Sequence, residues 1–245
     1  MAVRYHYHAS AGVEAIVSKG AALAYPRHMH LRHWTLGLVR QGMAELEDSA
    51  ATRRVEAGGF FIVPPRLPHS LRLAARSELV VLCVDEASAP HHGHGPLAVL
   101  HRFLVPREYE LVEGMIGQMV RPAGCREEGP AGDRIHGLAQ RLVAQPEETL
   151  SLAAMARIAC ASPWHFLRRF RAETGMTPHA YLLNCKIRYL RLLLRSRVAA
   201  ADAAFRAGFA DQSHMHRLFK LHHNLTPRQF VLASSRLDEW DQAGR

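Results

Sequence analysis

The chain has 245 residues, 48% of them hydrophobic and 22% charged, with a formal net charge of +9. That length allows two domains with separate cores, and that apolar share excludes disorder as the default. No apolar run is long enough to span a bilayer, and residues 1–8 lack the continuous apolar core of a signal peptide, so a soluble cytoplasmic protein is expected.

The charge is unevenly placed. Residues 151–245 hold 15 Lys and Arg against 6 Asp and Glu, whereas residues 1–150 hold 16 of each. The whole excess of +9 therefore lies in the C-terminal part, the electrostatic footprint of a polyanion-binding module beside a neutral one. Cys83, Cys125, Cys160 and Cys185 are scattered without Cys-x-x-Cys spacing, and read as buried free thiols of a reducing compartment.

From about 13 to 85 the hydrophobic period is two. Strands are expected at 14–18, 34–39, 43–47, 60–63 and 78–84, punctuated by Gly42, Gly58-Gly59, Pro64-Pro65 and Pro68. Many short strands separated by turns predict an antiparallel sandwich or barrel. Pro26-Arg27-His28-Met29-His30, Gly37, Gly42, Gly59 through Pro65, and Pro68-His69-Ser70 give this segment its particular character. In them it resembles the cupin-like effector domain at the N-terminus of many AraC-type regulators, which implies a cupin-like β-barrel that senses a small molecule. His28 and His30, two apart, point to one side of a strand. With His69 they could converge as cupin metal ligands do. The family's metal-binding form also uses a Glu a few residues later, and here that region reads Leu31-Arg32-His33-Trp34-Thr35. Three imidazoles still suffice for zinc or nickel. Three readings stay open: a divalent-metal site, an effector pocket lined by His28, His30, Trp34 and His69, and structural histidines. No cofactor is assigned.

Residues 86–100, with His91-His92-Gly93-His94, read as a loop; His-rich tracts can bind metal, and the chain holds 17 histidines. Leu111, Met115, Ile116 and Met119 form a helical stripe over 107–120, suited to a dimer or to packing on the barrel. Residues 121–132 resemble a linker. The expected organisation is an effector domain at 1–90, a linker with a dimerisation helix at 91–132, and a helical domain at 133–235.

That last part opens with an amphipathic helix at 133–144, capped by Asp133 and carrying Ile135, Leu138 and Leu142. Beyond it a pattern repeats with a shift of 49, which lays Met155 to Pro178 over Ala204 to Pro227. His165 falls on His214, Arg168 on Arg217, Phe170 on Phe219, Arg171 on Lys220, and Thr177-Pro178 on Thr226-Pro227; Phe166 meets Met215. Ser162 is a good N-cap and Pro163 suits the first helical position. Phe166 and Phe170, four apart, share a face to be buried, and the opposite face is aromatic and cationic. Each copy follows a short apolar helix, 151–158 or 200–207, and a small-residue turn. Helix, turn and second helix with a basic face is the helix-turn-helix pattern. Between the copies, 179–196 read as one helix with Leu182, Leu183, Ile187, Leu190 and Leu194 inward. At about 1.5 Å per residue it spans roughly 27 Å, close to the ~34 Å between successive major grooves on one DNA face.

Leu150-Ser151-Leu152, Glu173 through Pro178, Gly208 through His214, Arg217 through Lys220 and Leu225 through Phe230 resemble the AraC-type DNA-binding domain over nearly 100 residues. Departures are Cys160 at a turn position usually Gly, Arg169 at a usually apolar one, and Asn224 for the Gly that ends the second recognition helix. The resemblance implies base contacts from Trp164, His165 and Arg168 and from Gln212, Ser213, His216 and Arg217, with phosphate held by Arg171 and Lys220. Arg suits guanine, Gln suits adenine, and Trp or His can meet thymine methyls. The partners implied are promoter DNA, a small-molecule effector, RNA polymerase and a second copy of the chain; no membrane is involved. No catalytic motif is found, and a non-enzymatic regulator is expected; the alternatives are a metal-responsive regulator or a cupin metalloenzyme using His28, His30 and His69.

Overall fold

A computed structural model describes residues 3–8, 12–86, 103–108, 110, 112 and 132–236. The chain divides into two compact units, one built on strands and one on helices. The architecture is α+β, as expected from the change of period near residue 85.

The strands are β1 (Val3–His8), β2 (Val13–Lys19), β3 (Leu23–His28), β4 (His33–Gln41), β5 (Met43–Glu47), β6 (Thr52–Glu56), β7 (Phe60–Val63), β8 (His69–Leu73), β9 (Glu78–Asp85) and β10 (Ser234–Arg236). They form a six-stranded sheet, β10-β1-β2-β9-β4-β7, and a four-stranded sheet, β3-β8-β5-β6. The expected antiparallel, cupin-like arrangement is present as two sheets, which do not close into a barrel among the described residues. The edges of the smaller sheet show why closure fails there. β3 carries Pro26, which cannot donate to a ladder, and β6 exposes Arg53 and Arg54, charges that blunt an edge.

The five anticipated strands are found within one or two residues of their expected ends; β1, β3, β6, β8 and β10 were not foreseen. β10 pairs in parallel with β1, Tyr5 opposite Ser234, so a segment assigned by sequence to the helical domain completes the larger sheet. β9 sits between β2 and β4 and is buried from Leu79 to Val84, which explains its unbroken apolar run. One face of this sheet presents Val13, Ala15, Leu36, Leu38, Val80, Leu82 and Val84 to Leu104 and Val112. Arg40 on β4 fastens the segment bearing Leu104. Its Nε and Nη2 donate to the two Glu108 carboxylate oxygens at 2.9 and 2.7 Å, and Nη2 also donates to the Phe103 carbonyl. The Arg40 bond holds the Glu108 carboxyl below its ordinary range. Of the stripe expected over 107–120, Leu111, Met115, Ile116 and Met119 lie outside the described residues, as do His91, His92, His94 and Cys125.

The helical unit holds α1 (Gly132–Ala144), α2 (Leu152–Ile158), α3 (Pro163–Thr174), α4 (Pro178–Arg195), α5 (Ala200–Arg206), α6 (Gln212–His223) and α7 (Pro227–Ala233). α1 buries Ile135, Leu138 and Leu142 as anticipated and begins at Gly132. α4 buries Leu182, Ile187, Leu190 and Leu194; Leu183 is only half-buried, and Tyr181, Cys185 and Leu193 complete the inward face. The cores of the two repeats match. Phe166 and Phe170 are fully buried with ring centroids 5.5 Å apart, and Phe170 meets Tyr181 edge-on at 5.4 Å. In the second repeat Phe219 lies 5.3 Å from Phe230 and 4.6 Å from His223. Burying one such ring stabilises by roughly 1.5–3 kcal/mol, so these clusters are the main adhesive of the unit.

Cys83 and Cys185 are buried, and burial pushes the Cys185 thiol up to about 12. Cys160 is exposed, correcting the expectation that it is buried. No helix among the described residues is long and apolar enough to cross a membrane.

Candidate nucleic-acid interface and ligand site

Helices α3 and α6 are built alike from the backbone up. Ser162 caps α3, its Oγ accepting from the His165 amide, and Asp211 caps α6, its Oδ1 accepting from the His214 amide at 2.7 Å. Each satisfies an amide that the helix leaves without a partner. Both helices end in a left-handed residue, Gly175 at φ 69° and Asn224 at φ 55°, whose amides donate to Arg171 and Lys220 carbonyls. Asn is the side chain that tolerates this conformation best, so the departure from Gly leaves the cap intact.

The repeat is not one uniform shift. α3 and α6 are related by 49, with the Phe166 amide donating to Ser162 and the Met215 amide to Asp211. α2 and α5 are related by 48: the Ala159 amide donates to Met155, and the Ala207 amide to Ala203. The second turn, 207–211, is one residue longer than the first, 159–162. Met155 therefore corresponds to Ala203, not Ala204, and both are buried. Cys160 at φ 51° corresponds to Gly208 at φ 73°, each amide donating to the carbonyl three residues back. The same alignment puts a Cys where glycine is favoured.

Trp164, His165 and Arg168 on α3, and Gln212, Ser213 and Arg217 on α6, are all exposed, as are Arg171 and Lys220. Trp164 is 64% exposed, an unusual position for so large an apolar ring, and the Arg168 guanidinium lies over it at 4.6 Å. The pair leaves cation and aromatic edge together in solvent. His216 differs from the others. It is half-buried, and its Nε2 is enclosed with no hydrogen-bond partner among the described residues. Arg169 is held by an ion pair to Glu173 at 2.9 Å, which accounts for a cation at that position. Sequence reasoning missed Asp211 as a cap, although an Asp three residues before His214 at a helix start is the usual signal.

His28 ends β3 and His69 opens β8, neighbouring strands of the smaller sheet. His30 follows β3, and the ligand atoms of His28, His30 and His69 all lie within 4.8 Å of one another. The rings of His30 and His69 are 5.5 Å apart. His69 is 3% exposed; the other two are half-buried. Trp34, partly buried, packs against the cluster of Val13, Leu36, Val84 and Leu104.

Comparison with known proteins agrees with both halves. Residues 155–232 match the helix-turn-helix domain model, and residues 10–86 match the AraC-like ligand binding domain. The chain is 25% identical over 236 residues to the HTH-type transcriptional regulator YbfI of Bacillus subtilis (strain 168), a match covering 83% of this chain and 86% of YbfI. It is 26% identical over 98 residues to the HTH-type transcriptional regulator MtrA of Neisseria gonorrhoeae, covering 40% of this chain and 33% of MtrA. The crystal structure of ToxT from Vibrio cholerae O395 shares the fold, with a TM-score of 0.58, 14% identity, and coverage of 91% of this chain and 98% of ToxT. ToxT has also been solved with an unsaturated fatty acid bound.

Fold and site together define a ligand-binding domain joined to a double helix-turn-helix, a combination proper to DNA-binding proteins that answer to a small molecule. The chain belongs to the AraC-type transcriptional regulators.

Proposed function

We propose that α3 and α6 read two successive major grooves of promoter DNA, under the control of a ligand held by the strand-built unit. The observation that carries this is the matched construction of the two helices, with like caps, like buried aromatic anchors and like exposed faces. Trp164, His165, Arg168, Gln212, Ser213 and Arg217 would meet base edges, while Arg171 and Lys220 hold phosphates and set register. With its Nε2 enclosed, His216 offers a groove less than its neighbours do. α4, 18 residues long, spans about 27 Å, which suits adjacent grooves on one duplex face.

One chain carrying both motifs needs no two-fold symmetry, so asymmetric or directly repeated sites follow. The ToxT fatty-acid complex supports a small-molecule ligand for the corresponding unit here. Contact with RNA polymerase, and pairing with a second copy, complete the proposed role. Selection of binding sequences from random duplexes tests it. The expected product is two short preferred segments about one helical turn, roughly 10 base pairs, apart. Selection of a single segment, or of none, would overturn the two-groove reading.

A further inference from the structure

We propose that Lys186 is a positioning residue for DNA reading: with Gly208 and Glu147 it forms a brace beside α4 that sets the phase between α3 and α6, and so the number of base pairs separating the two segments they read. The inference rests on the two-groove reading of α3 and α6.

Three observations converge, all within the helical unit. The first is a bond across that unit. The Lys186 ammonium, in the middle of α4, donates to the carbonyl of Gly208, in the turn that leads into α6. Lys186 is buried, so water competes little for this bond. The second is a close approach. Gly208 presents its Cα to the backbone of Glu147, so near that a Cβ would come within 2.9 Å of the Glu147 carbonyl carbon and Cα. Glu147 lies in the entry to the first motif, just before Ser151, the residue that caps α2. Its carboxylate also acts on the Lys186 charge, opposing the effect of burial. The third is that this entry segment is itself held. Arg141 on α1 donates from Nε and Nη2 to the two Glu148 carboxylate oxygens, each at 3.1 Å, and the Glu148 amide donates to the Gln145 carbonyl.

The start of one motif is thus fastened to the turn of the other by a route that does not run along α4. A rod fixes the distance between two bodies at its ends, but resists poorly the twisting of one against the other about its own axis. A contact beside the axis removes that freedom. On B-DNA, where a turn of about 10 base pairs rises about 34 Å, moving a segment by one base pair displaces it by roughly 3.4 Å and rotates it by roughly a tenth of a turn. The phase between α3 and α6 is therefore read directly as spacing.

The test uses the full-length chain and the duplex selected for it, together with duplexes in which one or two base pairs are inserted into, or removed from, the stretch between the two segments. Fluorescence anisotropy gives Kd on each. The unaltered chain should bind the selected spacing best and lose affinity on either side of it. In Lys186→Met that penalty should shrink by about tenfold, the order of factor that one hydrogen bond to a charged group represents, while base preference within each segment is kept. Glu147→Gln, at an exposed position, should relax the penalty in the same direction and by less. Far-UV circular dichroism at the assay temperature checks that each variant is folded; if Lys186→Met is not, Glu147→Gln decides alone. A flat spacing profile in the unaltered chain overturns the proposal. So does a penalty unchanged in the folded variants with affinity lowered equally on every duplex, which would leave Lys186 a purely structural residue. If selection yields no pair of segments, the two-groove reading fails and the brace with it; a preferred pair whose spacing stays strict in the variants sinks the brace alone.

Discussion

Lys186, in the middle of the helix joining the two motifs, donates an ammonium proton to the backbone carbonyl of Gly208, at the turn of the second motif. Lys186 is 9% exposed, and burial lowers its pKa, with Glu147 acting in the opposite sense. A charge is kept in a costly place because it fastens the turn that aims α6. Lys186→Met keeps the aliphatic stem and removes that bond, so it should destabilise the chain by about 1.5–3 kcal/mol, the range for hydrogen bonds to charged groups. Urea titration followed by circular dichroism measures this; unchanged stability would show the bond to be incidental.

Gly208 itself admits no substitute. A Cβ there would come within 2.9 Å of the carbonyl carbon and Cα of Glu147, in a residue already at φ 73°. Backbone cannot give way as a flexible side chain can. Gly208→Ala is expected to cost roughly 2–4 kcal/mol, from left-handed strain and steric overlap together. Cys160→Gly, at the corresponding turn, should by contrast be neutral or slightly stabilising. Thermal midpoints of the two variants, measured side by side, check the pairing of the turns.

Arg168 and Arg217 occupy the same place on α3 and α6 and are both exposed. Replacing either with Ala should weaken binding to the selected site by about 1–3 kcal/mol and relax base preference in one segment only. Replacing Lys220 should weaken binding to all duplexes alike and flatten the salt dependence. Fluorescence anisotropy on matched and scrambled duplexes separates these outcomes. Equal loss on every sequence for the arginines would assign them to phosphate.

His223 is buried between Phe219 and Phe230, and burial, reinforced by the charge of Arg191, holds its pKa well below 6.5. The unfolded chain takes up a proton as pH falls through 6.5 while the folded chain does not. Stability is therefore complete above that value and declines below it, by up to about 1.4 kcal/mol per pH unit for one group. His222, also lowered by burial, adds to the slope. His223→Phe should reduce the decline between pH 6.5 and 5, measured by denaturant midpoints; an unaltered slope would place the titration elsewhere.

Much of the candidate site was legible in the sequence because helical periodicity and capping are local. Ser162, the Phe166–Phe170 pair and the spacing of Thr177 and Thr226 each announce themselves within a few residues. The single-residue slip between α2 and α5 was not legible. A uniform shift of 49 matches the recognition helices so well that it carries the shorter helices along with it. Only the hydrogen-bond register, Ala159 to Met155 against Ala207 to Ala203, exposes the longer second turn.

Local chemistry thus determined the two recognition helices, their exposed cations and the strand-rich first half, because period, caps and charge are properties of short windows. Tertiary structure alone decided the rest. It arranged the strands as two sheets and brought Ser234 beside Tyr5. It drew His69 to His28 and His30, and turned His216 inward. Each of these depends on contacts between residues distant in the chain, or on the space left when neighbouring elements pack, and neither quantity is written in any short stretch of sequence.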